Sequence, residues 1–181
     1  PPEKESIIDN IVTGILSSNG VEFKGTDINY FSKDGKDDLE APAKVTLNFV
    51  FLDVRVKCRK IFKLGDYLMR LTYVKGNIAS PSYTFHSVYT KVLEDRNGNI
   101  TLSDILVRDA YHPHMNNGKP CLGSHQNNIG NCIRVYNFIG FLGSMQRYLN
   151  SYYGRSVYSE AWMYDARHAY LNPEFLEKSP A

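Results

Sequence analysis

The stretch Tyr111-His112-Pro113-His114-Met115-Asn116-Asn117-Gly118-Lys119-Pro120-Cys121-Leu122-Gly123-Ser124-His125 divides two kinds of sequence. Before it, apolar residues mostly alternate with polar ones, the period of half-buried strands. After it, they recur at helical spacing. Neither period runs through the stretch itself, so it reads as an ordered loop. It holds three of the five histidines and one of the three cysteines. Reactive side chains gathered in a loop between a sheet and helices make that loop the place to look for function.

Upstream, Val45, Leu47, Phe49 and Phe51 alternate within 43–61, with a shift near Leu52-Asp53 of the kind a bulge produces. Further strands are predicted over 66–74, 83–93 and 100–107, the last two joined by a tight turn at Asn97-Gly98. Residues 21–32 read as extended, and 32–42 as an exposed loop. The chain opens with a helix over 3–18, with Ile7, Ile8, Ile11, Ile15 and Leu16 at helical spacing and a stop at Asn19-Gly20.

Downstream, Ile133, Val135, Phe138, Ile139, Leu142, Met145 and Leu149 predict one helix over 132–153, in which Gly140 and Gly143 allow close packing or a kink. Cys132 would sit at its start. A second helix is expected over 156–170, carrying Tyr158 and Trp162 as core, with Asp165 and Arg167 pairing outward; order ends near Pro173. The expected fold class is α+β: an N-terminal helix, a four- or five-stranded antiparallel meander, the histidine-cysteine loop and C-terminal helices. One domain over 1–181 is expected, with flexible ends at 1–3 and 172–181.

Composition narrows the class. Hydrophobic residues make up 43% and charged residues 22%, enough for a core without covalent staples. The net charge is +2, and the densest basic cluster, Lys57-Cys58-Arg59-Lys60, reads as a solvated strand end, so no nucleic-acid partner is expected. Three scattered cysteines make no disulfide framework, which points to a reducing, cytoplasmic-type compartment. No apolar run approaches the roughly 18 residues of a membrane helix, and no membrane partner is expected. No signal peptide is legible, and the chain starts Pro1-Pro2 without methionine, as a processed chain or a piece of a larger protein would.

The loop offers definite chemistry. Cys121 is its natural nucleophile, and a thioester is the natural product of attack by sulfur on a carbonyl carbon. His112, His114 and His125 can move protons or orient donors. Gly118 and Gly123 would let backbone amides approach an oxyanion, and Pro113 and Pro120 stiffen the frame. The same residues permit two other readings. His112, His114, Cys121 and His125 are four zinc-type ligands within fourteen residues, though not at the spacing of a usual zinc module. A hydrolase dyad of Cys121 and one histidine would need a third, orienting group such as Asn127, Asn128 or Asp109.

His112-Pro113-His114 followed by Gly118-Lys119-Pro120-Cys121-Leu122, with Tyr111 ahead of the first histidine, resembles the active-site signature of the ubiquitin-conjugating enzymes. The order of helix, meander, loop and helices resembles their UBC fold. The resemblance implies a carrier that accepts a ubiquitin-like protein from an activating enzyme as a thioester on Cys121 and passes it to an amine. It implies that His112 and Pro113 hold the loop. His114 stands where the family has asparagine and would support the oxyanion through an imidazole N–H. Asn127 and Asn128 are secondary positioning candidates. No cofactor is implied. The same fold used as an inactive protein-interaction module is the alternative, with a protein partner and no chemistry.

Overall fold

The computed structural model describes residues 4–38, 40, 43–58, 60–94, 100–109, 112–116 and 118–152. Helix α1 spans Lys4–Ser17 and turns at Gly20 (φ 85°) into strand β1, Val21–Asn29. A short hairpin follows, β2 (Phe31–Lys33) and β3 (Lys36–Asp38). Long strands β4 (Lys44–Cys58), β5 (Lys60–Val74), β6 (Asn77–Glu94) and β7 (Ile100–Asp109) come next. Together with β1 they form a five-stranded antiparallel sheet in the order β1-β4-β5-β6-β7.

The alternation of β4 sets the layer. Val45, Leu47, Phe49 and Phe51 are buried on one face, beside Tyr67, Met69 and Leu71 of β5 and Phe85 of β6. The other face mixes the Val50–Leu68 pair with polar contacts: Thr46 and Thr72 share a hydroxyl hydrogen bond of 2.9 Å, and Asp27 accepts from Asn48 at 3.0 Å. The expected bulge is present. The register of β4 against β5 shifts between Phe51 and Val54, where Asp53 takes a φ of 52° and its N–H donates to the Asp66 carboxylate at 2.9 Å.

Beyond β7 a two-stranded ribbon, β8 (Met115–Asn116) and β9 (Lys119–Pro120), leads through a 3₁₀ turn (Gly123–His125) into α2 (Gln126–Arg134) and then α3 (Phe138–Leu149). Helix α3 packs on β4 and α1, and α2 packs on α3 and β6. Burial of Ile129 and Ile133 from α2, and of Phe138, Phe141, Leu142, Met145, Tyr148 and Leu149 from α3, closes the core over the sheet. Gly14 lets α1 approach α3, since a Cβ there would lie 2.9 Å from the Phe138 backbone.

Four sequence expectations are corrected. The single helix over 132–153 is two helices, because Tyr136 takes a left-handed φ of 58°. Its N–H donates to the Ile133 carbonyl (3.1 Å) and the Asn137 N–H to the Cys132 carbonyl (2.8 Å), the paired closure of a Schellman end. Asn137 then caps α3, its side chain accepting the Gly140 N–H at 3.0 Å. Cys132 therefore lies in the last turn of α2, not at a helix start. The exposed loop over 32–42 contains the β2–β3 hairpin, turned by Asp34 (φ 52°) and Gly35 (φ 74°), the left-handed pair of a type I′ turn. Leu16, expected on the apolar face of α1, is 83% exposed, while Ile11 is buried. The Asn97-Gly98 turn, the helix over 156–170 with Tyr158, Trp162, Asp165 and Arg167, and the ends 1–3 and 172–181 lie outside the described residues.

Candidate functional site

The ribbon positions the loop. The Gly118 carbonyl accepts the Phe85 N–H at 2.8 Å, so the ribbon covers β6 just before β6 begins to pair with β7. Gly118 reaches this position with a φ of 76°, which favours glycine. Met115 stands opposite Pro120 and Asn116 opposite Lys119. One further step of that register sets His114 opposite Cys121, and the Cys121 N–H does donate to the His114 carbonyl at 2.8 Å. Cys121 is exposed and leads through Leu122 into the 3₁₀ turn.

His112 is buried, and both its ring nitrogens are engaged. Nε2 lies 2.6 Å from the Leu149 carbonyl at the end of α3 and must donate to it. Nδ1 accepts the His114 N–H at 3.1 Å. The ring is therefore neutral with its proton on Nε2. Burial pushes its pKa down to about 3; the Leu149 carbonyl opposes this and His114 adds to it. His112 is a clamp between the loop and α3. Pro113 beside it is buried as well.

His114 is 8% exposed. Its Nε2 lies 3.1 Å from the Ser151 hydroxyl, and that hydroxyl donates to the Tyr148 carbonyl at 2.7 Å. Burial lowers the His114 pKa, the Ser151 backbone carbonyl raises it, and His125 lowers it further. Tyr148 occupies the centre of the site. Its hydroxyl donates to the His114 carbonyl at 3.0 Å. Its ring lies 6.0 Å from that of His112, 5.6 Å from His114 and 5.8 Å from His125. Burial raises the Tyr148 pKa, the nearby Cys121 thiol raises it further, and the Cys121 N–H opposes both.

The sequence-predicted residues thus divide. His112, His114, Cys121 and His125 are brought around one tyrosine. Asn127 and Asn128 are exposed at the start of α2. Cys132 lies half-buried beneath Gly140, packed against the core. His86 is half-buried in β6 opposite Leu68, as a strand histidine would be. The side chains of Cys58 and Asp109 lie outside the described residues. Among the described residues, no group of three or more His, Cys, Asp or Glu side chains is placed to hold a metal ion. A zinc site that included His112 would have to break its hydrogen bonds at one or both nitrogens.

The part of the site supplied by α3 is not legible in the sequence. Tyr148, the Leu149 carbonyl and Ser151 hold every histidine of the His-Pro-His element. Tyr148 carries no distinct signal, because it lies on the apolar face with Phe141 and Met145 and reads as core. No helix among the described residues is long and apolar enough to cross a membrane. No protein-family model, curated protein or solved structure matches the chain.

Proposed function

We propose that this chain is a thioester carrier of the ubiquitin-conjugating type, with Cys121 as its nucleophile. The observation that carries the reading is an exposed thiol on a fixed backbone: its amide is bonded to the His114 carbonyl at 2.8 Å, and that carbonyl is bonded to Tyr148 at 3.0 Å. A carrier cysteine must reach two protein partners in turn, so it must stand at the surface. It must also present the acyl carbon in one orientation to the incoming amine. The helix, antiparallel sheet, loop and helices are compatible with the UBC layout, and His112 serves as the loop clamp such a site needs. The partners on this reading are an activating enzyme and a ubiquitin-like protein, in a reducing cytoplasmic compartment.

The test is intact mass after mixing the protein with ATP, an activating enzyme and a ubiquitin-like protein from the same source. The expected result is a mass adduct that thiol reductant removes and that Cys121→Ala does not form. A second reading is an inactive interaction module, favoured by apolar side chains left at the surface, Leu16 at 83% and Val135 at 71% exposed. Absence of the adduct with Cys121 still alkylated by iodoacetamide would transfer the assignment to that module.

A further inference from the structure

We propose that Ser151 is a positioning residue that holds His114 as the Nε2–H tautomer, so that Nδ1 is the proton acceptor beside Cys121 during discharge of the thioester. This rests on the carrier reading above and changes the role of His114 within it. A serine hydroxyl has one proton. At Ser151 that proton goes to the Tyr148 carbonyl at 2.7 Å. The 3.1 Å contact with His114 Nε2 must then run the other way, with Nε2 as donor and the Ser151 oxygen as acceptor. A neutral imidazole has a single N–H. It is spent on Ser151, so Nδ1 holds a lone pair and cannot donate to an oxyanion.

The Cys121 N–H donates to the His114 carbonyl at 2.8 Å, and Tyr148, whose ring lies 5.6 Å from that of His114, also neighbours the Cys121 thiol, so the imidazole and the sulfur share one surround. The groups set around the ring are His112 of the loop, His125 of the 3₁₀ turn and Tyr148 of α3. None of them is a carboxylate, so among the described residues no anion is placed to hold the imidazole in its charged form before the reaction. During discharge the amine nitrogen attacks the thioester carbonyl carbon and the C–S bond breaks. The sulfur leaves as thiolate, and the proton lost by the amine passes to Nδ1. The resulting imidazolium keeps its Nε2–H on Ser151, with the Cys121 thiolate as counter-charge.

Two measurements test this. The first reads the tautomer directly, from the ring nitrogen chemical shifts of histidine-labelled protein, with His114→Gln to assign the signals. The expected wild-type state is protonated Nε2 and bare Nδ1; Ser151→Ala mixes the tautomers and Ser151→Thr restores one. The second needs no activating enzyme. Cys121 is loaded chemically from a short peptide thioester ending in Gly-Gly, and its discharge to free lysine is followed from pH 6 to 9. Ser151→Ala should slow discharge about tenfold or more, within the range of a general base, and shift the pH profile, and Ser151→Thr should recover both. A wild-type His114 carrying its proton on Nδ1, or Ser151→Ala discharging at the wild-type rate with the same profile, overturns the role of Ser151 and leaves the carrier reading intact. A Cys121 that accepts no acyl group overturns the carrier reading and the base role together.

Discussion

The hydroxyl of Tyr148 donates to the carbonyl of His114 at 3.0 Å, and the same oxygen receives the Cys121 N–H at 2.8 Å. One buried phenol thus anchors the carbonyl to which the Cys121 backbone is bonded. Tyr148→Phe keeps the ring and removes the donor. The carbonyl retains one partner, so the expected loss is modest, about 1 kcal/mol. A lowered urea midpoint with an unchanged slope would show it, and a midpoint equal to the wild type would mean the hydroxyl holds nothing.

Acid should weaken the fold through His112. Its folded pKa of about 3 lies below the unfolded value of about 6.5, so between these values the unfolded chain binds the extra proton. The stabilisation is complete above the unfolded value and is lost as pH falls from there toward 3, by up to roughly 1.4 kcal/mol per pH unit. The lowered pKa of His114 acts in the same direction. Urea melts of wild type and His112→Gln between pH 7 and pH 4 should converge as the pH drops. Parallel pH dependence in the two proteins would place the acid sensitivity elsewhere.

The glycines of α3 should respond in opposite ways to alanine. At Gly140 a Cβ would meet the Asn137 side chain at 2.7 Å and Cys132 Sγ at 2.8 Å, disturbing the cap and the α2 contact together. Overpacking of this kind costs about 1–3 kcal/mol. At Gly143 the nearest atom is the end of the Arg147 side chain at 3.5 Å. Gly143→Ala should therefore stabilise the helix by up to about 1 kcal/mol. Thermal melts of the two variants should move to opposite sides of the wild type.

The two described cysteine side chains should separate by reactivity. Cys121 is exposed, and Cys132 is half-buried against the core. Limited iodoacetamide treatment followed by peptide mapping should find Cys121 modified well before Cys132. The reverse order would contradict the exposed position on which the carrier reading depends.

The sheet is legible in the sequence because strand period and burial coincide. Val45, Leu47, Phe49 and Phe51 mark the inner face, and the break at Leu52-Asp53 marks the bulge. The division of α2 from α3 is not legible, because apolar residues continue through it from Ile133 to Phe138. The residue that turns the chain is Tyr136, where glycine would have signalled a stop. The loop histidines and Cys121 are evident from residue type alone. Their partners are not: Tyr148 is 34 residues from His114, and Ser151 is 37. Contacts of that range are made by tertiary docking, which no local pattern encodes.

The bond from His112 to Leu149 and that from His114 to Ser151 each span 37 residues, and both run from the loop to chain synthesised after it. A nascent polypeptide therefore exhibits its cysteine before the groups that frame it exist. Until α3 has wound and docked, Cys121 is an ordinary thiol on a slack segment. On the carrier reading, competence at this sulfur is in that sense a late event in biogenesis, and a translation product halted before Ser151 would carry the thiol without its setting.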